Sequence, residues 1–343
     1  MLNLDFTKSR AFILNKLSTQ SEDWAIDIAF FLNEWWNDSS FIKAYTSGST
    51  GKPKPIILKK DKVVNSALMT GDFFSFKEKD NALLCMSPKF IAGKLMIVRA
   101  IVWKMNLICV EPSSSPLENI QHLKIDFAAM VPIQLNNSIS GLSRSKVKKL
   151  IVGGGTVDDK VLQELQKSDT EIYSSYGMTE TITHIALKRL NGEDIQTEYK
   201  ALKNVKFSID KRNCLVIDAK LVSDEKVVTN DVVELKGTKE FVWIGRYDNV
   251  INSGGVKIHP EKVERILQKY IPSPFFISSL KDVKFGEKVV LFIEGETKEI
   301  DLDFFKEVLP KYNNPKDVFF IEKFVRTDSG KINRKHTLEK MSF

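Results

Sequence analysis

Apolar and polar residues follow three successive patterns along the chain, and the first covers about residues 81–174. There, apolar runs of strand length alternate with stretches of helical spacing. The predicted strands are 83–86, 107–110, 127–131, 148–152 and 171–174, and the predicted helices are 92–103, 117–122 and 158–167. Strands that alternate with helices at this spacing predict βαβ units and a mostly parallel sheet covered on both faces.

The other two patterns lie further along the chain. After about residue 205, short β-rich runs at 206–209, 215–221 and 232–235 predict a smaller antiparallel β subdomain. The third pattern indicates a compact α+β domain, with helices at 260–270 and 302–308 and strands at 275–279, 289–293 and 318–321. We therefore expect an α/β fold with a large N-terminal domain, residues 1–247, and a small mobile C-terminal domain, residues 248–343.

An amphipathic helix is also predicted near the start of the chain, at residues 23–36. Its large apolar side chains, which we expect to be available for burial, are Trp24, Ile26, Phe30, Phe31 and Trp35. We interpret this helix as packing against the large domain.

Composition excludes several classes of protein. No stretch reaches the roughly 18 apolar residues of a membrane helix, and no signal-like run opens the chain, so we expect a cytoplasmic protein. Cys85, Cys109 and Cys214 are odd in number and widely spaced, which indicates neither a disulfide framework nor a zinc site. The net charge of +7 comes without a compact basic stripe, which argues against nucleic acid. Small polyanionic molecules fit better, and an ordinary lysine-rich surface explains the charge about as well.

Residues 45–54 have the composition of a phosphate-binding loop, with four Ser or Thr hydroxyls, two glycines and two lysines. Glycine lets backbone N–H groups approach an anion, and lysine supplies positive charge. The spacing is not that of a Walker A loop, because two residues separate Gly48 from Gly51 and Pro53 stands where Ser or Thr would ligate Mg²⁺. Short β segments at 41–45 and 55–58 flank the loop, so a polar turn between two strands is the alternative.

Two further segments follow predicted strands, where ligands bind in open α/β sheets. One contains Gly153, Gly154 and Gly155, for which a simple tight turn is the alternative. In the other, residues 173–180, Thr179 offers a hydroxyl to a phosphate and Glu180 offers a carboxylate oxygen suited to Mg²⁺. A helix start with Glu180 as a capping partner is the alternative there.

Together with residues 229–231, 245–264 and 325–334, these segments resemble, in order, the signatures of the acyl-adenylate-forming superfamily. That superfamily comprises acyl-CoA synthetases, aryl-CoA ligases and nonribosomal adenylation domains. The resemblance implies ATP and Mg²⁺ as cofactors, CoA as a co-substrate and a small carboxylic acid as the substrate. The residues implied in nucleotide binding are Thr46, Ser47, Gly48, Ser49, Thr50, Gly51, Lys54, Gly153, Gly154, Gly155, Ser175, Tyr176, Gly177, Met178, Asp231, Arg246, Ser253, Gly254 and Gly255.

The same resemblance implies three catalytic residues. Lys331 would supply positive charge where the carboxylate meets the α-phosphate, since negative charge builds on phosphorus there. Thr179 would contact the α-phosphate, and Glu180 would hold Mg²⁺. Asp248 would be the hinge about which the small domain rotates to admit CoA.

The segment 229–231 departs from its signature, in which the Asp binds both ribose hydroxyls. Asn230 stands where Gly is usual. Asn tolerates left-handed backbone better than other residues with a side chain, so we expect the turn to survive. A plain hairpin turn is the alternative.

Within the superfamily, residues 245–255 and 131–135 are most similar to the o-succinylbenzoate–CoA ligases of menaquinone biosynthesis. That likeness implies 2-succinylbenzoate as the acid, whose second carboxylate needs a cation or strong donors when buried. Lys94 and Arg99 are the candidates, unless they are solvated or paired with a structural acid such as Asp126.

The chain departs from those ligases in two ways. They carry far more residues before the phosphate loop than the 44 found here, and residues 86–93 lack the His that relatives often have there. Another aryl or acyl acid–CoA ligase, or a non-catalytic adenylate-binding homologue, are therefore the alternative functions.

Overall fold

Helices and strands alternate through most of the computed structural model, which describes residues 1–45, 55–142, 146–298, 300–327 and 332–341. In chain order the elements are β1 (Leu2–Asp5), α1 (Arg10–Ser18), α2 (Asp23–Trp36), β2 (Phe41–Tyr45), β3 (Pro55–Lys59), α3 (Lys60–Phe74), β4 (Asn81–Leu84), α4 (Ile91–Val102), β5 (Asn106–Cys109), β6 (Lys124–Met130), α5 (Pro132–Leu142), β7 (Lys146–Val152), α6 (Asp159–Leu165), β8 (Glu171–Gly177), β9 (His184–Arg189), β10 (Tyr199–Ala201), β11 (Lys206–Ile209), β12 (Cys214–Asp218), β13 (Val227–Leu235), β14 (Glu240–Arg246), β15 (Ile251–Ser253), β16 (Val256–Ile258), α7 (Pro260–Leu267), β17 (Phe275–Asp282), β18 (Gly286–Glu294), α8 (Leu302–Val308), β19 (Asp317–Ile321) and α9 (Arg334–Glu339).

Twelve strands form one sheet in the order β1-β5-β4-β6-β7-β8-β9-β10-β14-β13-β12-β11. The five strands from β5 to β8 are parallel neighbours, as the alternating pattern predicted. From β8 onward the neighbours are antiparallel. The fold class is confirmed, and the antiparallel strands continue the edge of the parallel ones because β8 turns directly into β9.

The parallel half of the sheet is covered on both faces. Along β4, Ala82 and Leu84 belong to one buried cluster and Leu83 belongs to another. Alternate side chains of a strand point to opposite faces, so the two clusters lie on opposite sides of the sheet.

The helical predictions are partly right. Helix α2 has the predicted bounds, but of its large apolar residues Phe31 is buried whereas Phe30 is 74% exposed and Ile26 is half-exposed. The predicted helix at 117–122 is wrong, because the structure has turns there. Helix α5 was not predicted.

Residues 251–321 contribute a second, five-stranded sheet in which β18 pairs with β15, β17 and β19. Two buried clusters line this part, and within the described ranges neither includes a residue before Ile251. One hydrogen bond to the large part runs from Gln268 Nε2 to Asp158 Oδ2, at 3.1 Å. The domain boundary at 247/248 stays a prediction.

Two expectations from composition can be compared with the structure. Cys85, Cys109 and Cys214 are all buried and free, as isolated core thiols would be. In the part of the chain that the structure describes, no helix has the length and apolar character needed to cross a membrane.

Candidate functional site

The ends of the parallel strands β7 and β8 bring two of the predicted segments together. Gly153 follows β7, and its N–H donates to Met130 O at 3.1 Å. A Cβ on Gly153 would lie 2.7 Å from Ser175 Oγ, and Gly154 has left-handed backbone with φ +86°. A side chain at position 153 would displace the Ser175 hydroxyl, and the backbone at position 154 favours glycine. The glycine loop and Ser175 lie side by side, as binding one nucleotide would require.

Residues 178–183 form the tight connection between β8 and β9. Thr179–Thr181 is a single 3₁₀ turn, which Thr181 closes by accepting the Met178 N–H at its Oγ1, 3.1 Å away. The capping bonds belong to Thr181, so the structure does not support a capping role for Glu180. Ile182 ends the turn with φ +66°, a strained conformation for a β-branched residue. Such strain is concentrated at functional sites in proteins.

Glu180 is exposed at this turn and forms no ion pair within the described ranges. Mg²⁺ is usually held by one or two carboxylates together with substrate phosphates. A free carboxylate beside the strand ends fits that ion, although the described residues contain no cluster of three or more His, Cys, Asp or Glu able to hold a metal.

Asp231 lies at the centre of a hydrogen-bonded polar cluster in the site. Tyr176 Oη donates to Asp231 Oδ2 at 2.6 Å, and Trp243 Nε1 donates to Asp231 Oδ1 at 3.1 Å. Arg246, which pairs with Asp231 across β13 and β14, has its Nη1 3.8 Å from Oδ1. Burial and the charge of Asp231 raise the pKa of Tyr176, so the phenol stays a neutral donor.

Trp243 was missed by the sequence reasoning, because no signature names it. An indole N–H needs a hydrogen-bond partner when it is buried. Trp243 lies opposite Val233 across β13 and β14, and the carboxylate of Asp231, two residues before Val233, accepts its hydrogen bond.

The segment 229–231 lies within β13, where the pairing of β13 with β12 is irregular, so the hairpin-turn alternative is wrong. Among the described residues, left-handed backbone outside glycine occurs at six positions, and Asn230 is not one of them. The expectation that a turn survives at Asn230 is therefore wrong, because this residue lies in a strand. Its amide Nδ2 lies 3.2 Å from both carboxylate oxygens of Asp248, which sits in the 3₁₀ turn Tyr247–Asn249.

Several predicted site residues are not brought into this cluster. Ser253, Gly254 and Gly255 lie on the hairpin between β15 and β16, where Gly254 N donates to Phe285 O at 2.9 Å. Gly254 and Gly255 have φ +56° and +83°, as a tight turn requires. The phosphate-loop residues Thr46, Ser47, Gly48, Ser49, Thr50, Gly51 and Lys54, and the catalytic candidate Lys331, lie outside the described residues. The two strands that flank the loop pair as predicted, with Tyr45 opposite Pro55.

Lys94 has a different role from the one proposed for it. Its ammonium donates to Glu34 Oε2 and to Lys43 O, both at 2.8 Å, and lies 4.9 Å from the Phe31 ring centroid. Its charge is balanced by Glu34. This pairing corrects the prediction that Lys94 is a candidate partner for the second carboxylate of the substrate. Asp126, suggested as a structural acid for such a cation, pairs instead with Lys148.

Arg99 is the opposite case. Its side chain is 3% exposed, its Nε has no hydrogen-bond partner, and it forms no ion pair within the described part of the chain. Burial lowers the pKa of Arg99 to about 10, so the guanidinium is still charged at neutral pH.

His184 lies close enough to Arg99 for the two side chains to interact electrostatically. Burial and the charge of Arg99 hold the pKa of His184 well below its usual range. Thr70 Oγ1 donates to Ser66 O at 3.0 Å, so its contact with His184 Nε2 at 3.2 Å needs the ring N–H as donor. His184 pairs directly with Gly177 across β8 and β9. Arg99, which has no acidic partner among the described residues, thus lies near the end of β8 that carries Gly177.

Fold and site together define a nucleotide-binding α/β protein whose polar groups collect at the ends of the parallel strands β7 and β8 and on the antiparallel strands β13 and β14. The AMP-binding enzyme family matches residues 14–228, and the chain belongs to this family. It is an AMP-forming acyl-CoA ligase, a class that uses ATP, Mg²⁺ and CoA.

Three known proteins illustrate the likeness. The 2-succinylbenzoate–CoA ligase of Bacillus cereus strain Q1 is 25% identical over 345 residues, which cover 90% of this chain and 71% of that protein. The crystal structure of an acyl-CoA synthetase (AMP-forming)/AMP-acid ligase II-like protein from Dyadobacter fermentans is 33% identical, covers 99% of both chains and has a TM-score of 0.67. The o-succinylbenzoate coenzyme A synthetase of Bacillus subtilis, solved with ATP and magnesium, is 20% identical with a TM-score of 0.74, over 86% of this chain and 69% of that one. That last likeness concerns the fold alone.

Proposed function

We propose that this protein joins 2-succinylbenzoate to CoA in two steps, through an acyl-adenylate, in the cytoplasm. In the first step one carboxylate of the acid attacks the α-phosphorus of ATP and pyrophosphate leaves. In the second, the CoA thiol attacks the acyl carbon, and AMP leaves. The observation that carries the choice of acid is the buried Arg99, which has no acidic partner among the residues that the structure describes.

Arg99 supports a substrate with a second carboxylate because of its surroundings. A buried guanidinium without a counter-ion is costly, and a carboxylate that arrives with the substrate would offset that cost. Lys94, on the same helix, is already neutralised by Glu34, so of the two candidates Arg99 is the one without an acidic partner in the described part of the chain. The likeness to 2-succinylbenzoate–CoA ligases points to the same acid.

The nucleotide would be held by the cluster around Asp231. Each carboxylate oxygen of Asp231 accepts one hydrogen bond in the structure and keeps a further lone pair, so both could accept from ribose hydroxyls. Tyr176 and Trp243 hold the carboxylate in place, and Arg246 adds positive charge nearby. Glu180 would ligate Mg²⁺, which neutralises phosphate charge when bound.

We also propose that residues 1–247 and 248–343 act as two units, with Asp248 as the hinge. Lys331 would then supply charge to the first step in one orientation and leave the site in the other. The separate buried clusters on either side of residue 248 support this division.

A pyrophosphate-release assay over aromatic mono- and dicarboxylic acids, with CoA present, tests the proposal. The matched substrates are 2-succinylbenzoate and the two analogues that each lack one of its carboxylates. We expect 2-succinylbenzoate to have the highest kcat/KM. Faster turnover of a monoacid would refute the acid and leave the ligase chemistry intact. AMP binding without pyrophosphate release from any acid would instead identify a non-catalytic homologue.

A further inference from the structure

A chain of hydrogen bonds links the predicted hinge to the strand that carries Asp231. Asn230 Nδ2 donates to both oxygens of Asp248 at 3.2 Å, and Asn230 Oδ1 accepts from Arg212 Nη1 at 2.9 Å. The opposite amide orientation would set its oxygen against the carboxylate and its NH₂ against the guanidinium. The two charged neighbours therefore fix this orientation of the Asn230 amide.

Arg212 is itself fixed in place from three sides. Its Nε donates to Asp210 Oδ2 at 2.8 Å, and its Nη2 donates to Thr229 O at 3.2 Å. Its guanidinium carbon lies 5.1 Å from the centroid of the Tyr247 ring, next to Asp248 in the chain. Arg212 thus contacts the same 3₁₀ turn that Asn230 reaches, and the turn is held at two adjacent residues.

The strand geometry explains why Asn230 can take part. Within β13, Thr229 and Asp231 are buried, whereas Asn230 is only half-buried and its amide reaches Asp248. A glycine at position 230, as in the signature that this segment resembles, could not make the contact.

We propose that Asn230 is a positioning residue that holds Asp248 in the conformation of this structure and so favours one orientation of residues 248–343. The proposal rests on the proposed function in taking Asp248 as the hinge. A hinge residue must change its φ and ψ when the domains rotate, and the Asp248 carboxylate then moves away from the Asn230 amide. Any bond made in only one orientation shifts the equilibrium toward that orientation.

The expected size of the shift between the two orientations follows from the solvent exposure of the Asp248 side chain. The Asp248 side chain is 54% exposed, and Arg246 Nη2 also donates to it at 2.9 Å. An exposed contact of this kind is weak, so we expect a shift of about two- to fivefold in the ratio of the two orientations.

The test measures orientation directly and needs no acid substrate. Spin labels are placed at Lys220→Cys and Lys281→Cys, two exposed positions on either side of the hinge, while the three native cysteines are buried. Distance distributions are recorded for the free protein and with AMP. Asn230→Gly should lower the population at the distance of this structure by about two- to fivefold. Asn230→Asp should lower it further, because a carboxylate would face the Asp248 carboxylate.

Lys211→Ala is the matched control, an exposed neighbour of Arg212 outside these contacts, and should leave the distribution unchanged. Asn230→Gln, which keeps the amide, should recover part of the shift. The proposal would be overturned if all variants gave the same distance distribution. That includes the case in which every variant shows one and the same single distance. So would an equal shift in the Lys211→Ala control. Because no acid is added, a wrong choice of acid does not affect the result.

Discussion

Lys94 and Arg99 lie five residues apart on α4 and both are buried. Among the described residues, however, only Lys94 has an acidic partner. The Lys94 ammonium has Glu34, a backbone carbonyl and an aromatic ring around it. Arg99 has an unpaired Nε and no acidic partner within the described residues. Burying a charge without a partner costs stability, so Arg99 is kept at a cost that Lys94 does not impose. Pairing, more than burial, is therefore what separates the two cations.

Replacing a third cation, Lys331, should lower activity more than replacing Lys94 or Arg99. In the proposed mechanism the charge of Lys331 is needed only where the carboxylate meets the α-phosphate, so Lys331→Ala should lower the rate of adenylation by about 10³-fold or more. Thioester formation from synthetic acyl-adenylate should be retained. Both half-reactions are measured separately, and equal losses in the two would show that Lys331 acts elsewhere.

Replacing Arg99 should change substrate preference without abolishing the chemistry. Arg99→Met should lower the ratio of kcat/KM for 2-succinylbenzoate over its monoacid analogues by about 10²-fold, since the second carboxylate loses its partner. Lys94→Met is the matched control, because Lys94 already has a partner, and should leave that ratio unchanged. A ratio that falls equally in both variants would contradict the distinction between the two cations.

The stabilities of the same two variants should shift in opposite directions. Lys94→Met leaves Glu34 without its cation and should lower the free energy of unfolding by about 2 kcal/mol. Arg99→Met removes an unpaired buried charge and should raise it by about 1 kcal/mol. Urea unfolding of the ligand-free proteins measures both. Destabilisation of similar size in the two variants would mean that Arg99 has a structural partner.

His184 provides a check on the charge of Arg99 through the pH dependence of stability. The native protein keeps the imidazole neutral, whereas the unfolded chain takes up a proton near pH 6.5. Its contribution to stability is therefore complete above about pH 6.5 and is lost as the pH falls below that value, by up to about 1.4 kcal/mol per pH unit.

The variant His184→Gln should flatten the fall in unfolding free energy between about pH 6.5 and 5. Burial also lowers the pKa of His259, so part of the slope should remain. Unfolding free energies at several pH values measure the slope. An unchanged slope in His184→Gln would show that His184 is protonated in the native protein.

Sequence patterns predicted most elements because strands and helices of the large sheet carry apolar residues at the expected periods. Helix α5 was missed for a physical reason. Its buried positions include Gln134, Ser138 and Gly141, which follow helical spacing but are not apolar. Gln134 is buried because its amide donates to Cys85 O and Ser113 O, at 2.9 and 2.8 Å. Such bonds between distant residues leave no signal in a local pattern.

The helix wrongly predicted at 117–122 has the opposite explanation, because there the apolar spacing is helical but the structure is not. Leu117 and Ile120 are both buried and three residues apart, as in a helix, but consecutive turns give the same spacing. In the site, the signatures identified Tyr176 and Asp231, whereas their hydrogen bond and the partner Trp243 depend on how β8, β13 and β14 meet. Sequence also named both Lys94 and Arg99, and only the position of Glu34 on α2 could separate them.

The edge strand β1 has a consequence for how the chain folds during synthesis. Leu2 pairs with Cys109 and Leu4 with Leu107, so β1 precedes its partner by about a hundred residues. At translation rates of about 5–20 residues per second, β1 waits roughly 5–20 s before β5 is made. Leu2 and Leu4, both buried in the finished sheet, stay in water or in contact with a chaperone for that time. Closure of this edge is therefore a late, long-range event, and slowing synthesis before residue 106 should lengthen the interval in which the nascent chain can aggregate.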